Sequence, residues 1–337
     1  MHAAVFETPG PASVLQIVDR DLPSVGPGEV RVRIVLSAVN PTDTGTRAGR
    51  GVPDGVSSPR VPNQDGAGLV DAVGEGVTGL EPGDRVWVWD AGYGRPNGTA
   101  QEYVVLPLRQ VVRLNEDVPF EVGAALGIPA LTAHRCLTLA SDGPARLAPG
   151  ALDGRTVLVA GGAGAVGNAA IQLAKWAGAY VLTTVSSKEK ADLAGAAGAD
   201  AVINYREEDV AARIKELSRT GPHLVVEVSP ENLRLDLAVI APGGNIAIYV
   251  AGEVIVPSFK AMLKNVSLDF VLTYVTSVDE KDNAVAAVAE AVNEGAFGAG
   301  DQAGLPLIRF TFDEIAKAHE AVEQHATGKV IIDITAP

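Results

Sequence analysis

The residues best suited to chemistry are the run Gly162-Ala163-Gly164-Ala165-Val166-Gly167. The G-x-G-x-x-G spacing follows an apolar stretch at 157–160 and opens a helical stretch at 166–177. In that context each glycine has a task. Gly162 permits a tight turn, Gly164 lets backbone amides approach a pyrophosphate, and Gly167 lets helix and strand pack closely. The amides and dipole of the helix N-terminus then favour an anion. The pattern predicts a dinucleotide site in a strand–loop–helix unit. A purely structural turn is the alternative reading.

The end of the next strand selects the dinucleotide. An acid there holds the ribose hydroxyls of NAD, whereas cations and hydroxyls suit a 2′-phosphate. The chain reads Thr183-Thr184-Val185-Ser186-Ser187-Lys188-Glu189-Lys190, with Glu189 as the first acid, between two lysines. This favours NADPH over NADH. The duller reading is that the lysines merely solvate the start of a helix.

These residues need a frame, and the sequence outlines one. The first third is β-rich: 29–39 alternates with Val30, Val32, Ile34 and Leu36 on one face, and further strands are expected at 67–73, 84–89 and 100–106. A helix at 122–139 is expected to break at Pro129. From Arg155 the chain alternates: strands at 157–160, 180–185, 201–204, 224–228 and 245–250, helices at 166–177, 188–197 and 209–218. Such β–α alternation implies a parallel, doubly wound Rossmann sheet with right-handed crossovers. A strand at 271–275 is expected to leave an open edge that pairs across a two-fold axis, giving a homodimer. The tail, with an amphipathic helix near 313–325, lacks a core of its own and is expected to return to the first domain. The expected division is 1–123, 124–265 and 266–337.

Bulk properties narrow the function. The 337 residues suit two domains, 47% of them are hydrophobic, and the net charge is −14. Such acidity disfavours nucleic acid and anionic membrane surfaces as partners. No run of ~18 apolar residues suggests a membrane span, and residues 1–10 do not read as a leader. Cys136 is the single cysteine, which excludes an internal disulfide and a four-cysteine zinc lobe. A cytoplasmic place is expected. His2, His134, His223, His319 and His325 are scattered, without paired ligand spacing.

With these motifs in hand, the chain resembles the medium-chain dehydrogenase/reductase superfamily, and within it the zeta-crystallin type of quinone oxidoreductase. Besides the glycine loop, the resemblance rests on Asn40-Pro41-Thr42-Asp43, Asn63-Gln64-Asp65-Gly66-Ala67-Gly68, Pro82-Gly83-Asp84-Arg85-Val86, Gly127-Ile128-Pro129-Ala130-Leu131-Thr132-Ala133, Ile203-Asn204-Tyr205-Arg206 and Gly328-Lys329-Val330. It implies α/β architecture: a GroES-like β-rich catalytic domain, discontinuous in sequence, around the Rossmann domain, and a dimer. Zinc-dependent relatives place a Cys where this chain has Pro41 and Gly-His-Glu where it has Asn63-Gln64-Asp65. A catalytic zinc needs about three protein ligands, so no metal is expected.

By the same resemblance Asn40, Thr132 and the backbone around Val250 line the nicotinamide side. Ser186, Lys190 and Tyr205 hold the 2′-phosphate, and Lys329 lies near the pyrophosphate or the nicotinamide. Asp43 and Gln64 face the active cleft in place of zinc ligands. Structural alternatives stand beside these roles: Asp43 as a turn cap, Thr132 bonding back to its own helix, Tyr205 packing at a strand end, His134 and Cys136 as core residues. The stretch 44–51, where the subgroup often carries aromatics, has none. Trp89, Tyr93 and Tyr274 are left as substitutes, and 52–60 as a loop that shapes the entrance. The expected activity is NADPH-dependent hydride transfer to a small quinone. A reductase of α,β-unsaturated carbonyls (an enone or 2-alkenal) and a non-catalytic NADPH-binding protein are the alternatives.

Overall fold

The computed structural model describes residues 1–51 and 58–335, so most of the expected entrance loop, 52–57, lies outside the described residues. The chain divides into two compact units, Met1–Ile128 with Pro306–Pro337, and Pro129–Leu305.

The first unit is built on the strand Glu29–Val39. Its alternation works as the sequence suggests: Val30, Val32, Ile34 and Leu36 are fully buried. It pairs antiparallel with Asp65–Val73, Tyr103–Pro107 and Lys329–Asp333. The sheet continues from Asp65–Val73 through Arg85–Val88 to Val111–Arg113. On its other flank Leu307–Thr311 lies parallel to Lys329–Asp333. Two register shifts between Glu29–Val39 and Asp65–Val73 mark irregularities that bend such a sheet. At the end of the long strand the chain turns into the short helix Pro41–Arg47, with Pro41 at its first position, where a missing N–H costs nothing.

The second unit holds a parallel sheet whose strands are Thr156–Ala160, Tyr180–Val185, Ala201–Asn204, Leu224–Glu227, Asn245–Ile248 and Ser267–Phe270. Numbered along the chain among the described residues, their spatial order is 3-2-1-4-5-6. That is the Rossmann order, with the topological switch point between the first and fourth strands. The buried apolar runs Val157–Val159 and Leu224–Val226 sit at its centre, as parallel strands covered on both faces require.

Three expectations need correction. The last strand is Ser267–Phe270, and Thr273–Val275 is a 3-10 turn, so the strand expected at 271–275 is displaced. The helix Phe120–Leu137 is interrupted at Gly127 rather than at Pro129, because a glycine absorbs the distortion that the proline ring imposes on the turn before it. The chain rejoins the first unit only at Pro306. A helix at Val278–Asn293 comes before that, and its face of Ala284, Ala287, Val288, Ala291 and Val292 is buried in the second unit.

Candidate functional site

In the first unit four polar side chains meet beneath the start of the helix Pro41–Arg47. Lys329 opens the strand Lys329–Asp333 and is 2% exposed. Its Nζ donates to Asn40 Oδ1 at 2.6 Å and lies 3.7 Å from Asp65 Oδ2. The amide of Asn40 bridges the two, since its Nδ2 donates to Asp65 Oδ2 at 2.7 Å. Asp65 Oδ1 accepts the Ile128 N–H at 3.0 Å. Gly127 makes that contact possible: a Cβ there would sit 2.0 Å from Asp65 Oδ1. The break in the helix thus frees an N–H for the carboxylate and clears the space it fills.

Asp43 completes the group. Its Oδ2 accepts the Asn40 N–H at 2.7 Å, as the third residue of a capping box does, while its Oδ1 is buried without a hydrogen-bond partner. Burial, reinforced by the negative charge of Asp65, pushes the Asp43 carboxyl up to about 8. Burial also raises Asp65 and lowers Lys329, and their mutual attraction opposes both shifts. Desolvation disfavours every charge here, so the cluster holds as few as its single ammonium requires.

Asp43 and Gln64 also line a small, partly open cleft in this unit, together with Thr46, Arg60, Tyr93 and Arg95. Gln64 Oε1 accepts the Gly92 N–H at 2.8 Å. Arg95 is fixed by Gln110 Oε1 at 2.7 Å. Of the three aromatic substitutes, Tyr93 lines the cleft, whereas Trp89 is buried in the first unit and Tyr274 in the second.

In the second unit the carboxyl ends of adjacent parallel strands gather another set. Gly161 carries the positive φ of +70° in the turn after Thr156–Ala160, a task expected of Gly162. Gly162 is needed for a different reason: its Cβ would lie 2.1 Å from Thr183 Oγ1. A Cβ on Gly167 would lie 2.3 Å from the Gly161 carbonyl oxygen, so helix and loop touch through backbone. Gly164 caps the helix Ala165–Trp176 and meets nothing closer than 3.4 Å. The registers Ala160↔Thr184 and Asn204↔Val185 set this loop, Ser186 and Tyr205 side by side. Tyr205 is half exposed, and its N–H donates to the Val185 carbonyl at 3.0 Å. Ser187 caps the helix Lys188–Ala196 by accepting the Lys190 N–H. Lys188 is occupied by Asp192 at 2.8 Å. Val250 follows the strand Asn245–Ile248 and is exposed. Thr132 shares a 2.7 Å hydrogen bond with Thr273 Oγ1, not with its own helix.

The sequence reading missed Asp65 as a site residue, although it adjoins Gln64, and missed Arg60 and Arg95. It also missed a second buried carboxyl pair. Glu227, at the end of Leu224–Glu227, faces Asp236 on the helix Leu233–Val239, and both are 1% exposed. Burial and the charge of Glu227 push Asp236 up to about 9. His134 is structural: its Nε2 accepts the Leu147 N–H at 3.2 Å, and burial lowers it to about 3.

Comparison with known proteins agrees with both halves. The family described as "Alcohol dehydrogenase GroES-like domain" matches residues 26–116, and "Zinc-binding dehydrogenase" matches 165–292. The quinone oxidoreductase of Pseudomonas aeruginosa is 31% identical over 97% of this chain and 98% of its own length. Two solved structures superpose over nearly the whole chain. One is an NAD-dependent alcohol dehydrogenase (28% identity, TM-score 0.84, 99% of this chain and 100% of the other). The other is a mycobacterial protein complexed with NADPH (30% identity, TM-score 0.81, 98% and 99%). A Rossmann sheet carrying a glycine loop, joined in one chain to a GroES-like unit, defines a class of oxidoreductases. The chain belongs to the medium-chain dehydrogenase/reductase superfamily and, within it, to the zeta-crystallin-like quinone oxidoreductases.

The zinc in the description of one matching family does not fit the side chains present. Among the described residues no three His, Cys, Asp or Glu side chains converge as a metal site requires. The buried carboxylate next to Gln64 is already answered by the Lys329 ammonium, which repels a dication.

Proposed function

We propose that this chain is an NADPH-dependent, zinc-independent reductase that transfers hydride to a small quinone. The observation that carries the reading is the carboxyl end of the parallel sheet, where the strand registers set the glycine loop, Ser186 and Tyr205 side by side and no acid closes the strand Tyr180–Val185. The loop Gly162, Ala163, Gly164, Ala165, Val166 and Gly167 takes the pyrophosphate on backbone amides. Ser186, Lys190 and Tyr205 take the 2′-phosphate. NADPH, when bound, supplies the hydride. In the second unit Thr132 and Val250 line the nicotinamide side, and in the first Lys329 holds Asn40, and Asp43 and Gln64 take the acceptor. Orientation of this kind can lower a barrier by up to roughly 7–11 kcal/mol. The mycobacterial relative complexed with NADPH supports the choice of cofactor.

A reductase of enones or 2-alkenals is the second reading, and the aromatic-free stretch 44–51 favours it. In either case the chain acts as a homodimer. The open edge of Ser267–Phe270 and the exposed Phe259, Met262, Leu263 and Phe270 form an apolar face of the kind that pairs across a two-fold axis. Its acidity and single cysteine suit the cytoplasm.

The test is cofactor oxidation with NADPH beside NADH, against quinones and enones. NADPH turnover with quinones is expected, and Lys190→Glu should raise KM for NADPH about tenfold while sparing NADH. A preference for NADH overturns the cofactor assignment. Turnover with enones alone moves the function to alkene reduction. NADPH binding without turnover on any acceptor leaves a binding protein.

A further inference from the structure

The reductase reading leaves one proton unassigned. Hydride addition to a quinone or an enone leaves negative charge on oxygen, and the product is complete only when a proton arrives. NADPH plus acceptor plus one proton gives NADP⁺ plus reduced acceptor, so the remaining requirement is a proton source in the cleft. Of the two buried carboxyl groups in the first unit's cluster, Asp43 lines the cleft and Asp65 does not.

Resting on that reductase reading, we propose that Asp43 is the proton donor, delivering the proton on its Oδ1 to the reduced acceptor. The arrangement of charges singles it out. Asp43 and Asp65 share one buried ammonium, that of Lys329. The ammonium lies 3.7 Å from Asp65 and is tied to the same carboxylate through the Asn40 amide. Asp65 also accepts the Ile128 N–H. Asp65 is therefore the carboxylate that the cluster stabilises as an anion, and Asp43 is the one that keeps a proton. The position of that proton follows from the hydrogen bonds. Oδ2 must stay an acceptor to receive the Asn40 N–H, whereas Oδ1 has no donor against it. The O–H bond breaks at Oδ1, a new bond forms to the acceptor, and the carboxylate left behind takes a proton from water in the cleft.

The charged groups facing Asp43 are Asp65 and Lys329 in the cluster, with Arg60 and Arg95 on the same cleft. Burial and Asp65 hold its carboxyl near 8, so it is protonated at neutral pH and poised to give its proton up. Lys329 is a poorer candidate because its ammonium is enclosed against Asn40 and Asp65.

The full chain with NADPH should be assayed on 1,4-benzoquinone and 2-cyclohexenone across pH. Wild-type kcat/KM is expected to fall as pH rises through about 8. Asp43→Asn should remove that limb and lower kcat on cyclohexenone about 100-fold at neutral pH, and Tyr93→Phe should keep the limb whatever its rate. An infrared titration without cofactor adds a readout independent of turnover. On an Asp236→Asn background, which removes the other carboxyl held protonated at neutral pH, a protonated-carboxyl band should disappear through about pH 8 and be missing once Asp43→Asn is added. An Asp43→Asn variant with the wild-type rate and limb, or a Tyr93→Phe variant that loses the limb, overturns the assignment. If Asp43→Asn does not fold, the infrared titration of Asp236→Asn decides: no carboxyl band lost near pH 8 overturns it. Wild-type turnover with a flat profile defeats the proton donor alone, whereas no wild-type turnover defeats the reductase reading with it.

Discussion

A buried carboxyl group survives at neutral pH by facing a cation, by accepting donors or by keeping its proton, and side chains of this protein take each course. Asp65 uses a cation and donors, and Asp43 and Asp236 are pushed towards the protonated form. The Asp236 case has a direct consequence for stability. Burial and Glu227 push its carboxyl up to about 9 when folded, against 3.8 in an unfolded chain, so the folded state binds the extra proton between those values. The stabilisation is complete below the lower value and is lost as pH rises through the upper one. Asp236→Asn keeps a neutral group of the same shape and lets its amide donate to Glu227. We expect it to raise stability at pH 8.5 by about 1–3 kcal/mol and to change little at pH 4. Urea unfolding at the two values checks this, and an equal effect at both would reject it. His134 and His319 work in the opposite sense. Burial lowers each to about 3, so their contribution is present above 6.5 and is lost as pH falls towards 3.

At the scale of elements the break at Gly127 is the most exacting. Gly127→Ala puts a Cβ 2.0 Å from Asp65 Oδ1, and the carboxylate is held by Asn40 and Ile128 and has nowhere to go. A loss of about 1–3 kcal/mol is expected. Urea unfolding measures it, and an unchanged midpoint would mean that the helix straightens without cost. The same elements show what a sequence can reveal. The Rossmann alternation was legible because its central strands are continuous apolar runs, and the glycine loop because its requirements are local. The helix Val278–Asn293 escaped notice because three of its five buried residues are alanine, a weak hydrophobic signal, although Ser277 and Glu280 spell a capping box. The apolar residues at 270–275 suggested a strand, yet pairing stops at Phe270 and Leu272 and Val275 are exposed. The polar cluster was hidden for another reason: Lys329 and Asn40 are 289 positions apart, and no local pattern announces such a bond.

At the scale of the whole molecule the prediction concerns assembly. Phe270 stands exposed at the end of the open edge strand, with Phe259 and Met262 exposed on the helix Ser258–Met262. Placing a charge at Phe270 puts an unpaired ion into the proposed two-fold contact, at a cost of several kcal/mol. Phe270→Asp should sediment as a monomer at micromolar concentration where the wild type sediments as a dimer. A wild-type monomer would dispose of the interface, and a dimeric variant would move it elsewhere.

The strand Lys329–Asp333 carries a last consequence, for the order in which the protein is made. The first unit's sheet holds Glu29–Val39 and Lys329–Asp333 side by side, and the whole second unit lies between them in the chain. On the ribosome, Asp43 and Asp65 emerge early and must wait, without their counter-charge, until Lys329 is synthesised. The second unit has all of its strands by Phe270 and is free to mature first. A message cut short before codon 329 would therefore yield a finished Rossmann sheet attached to a half-made partner, with two acidic groups and no ammonium to settle them.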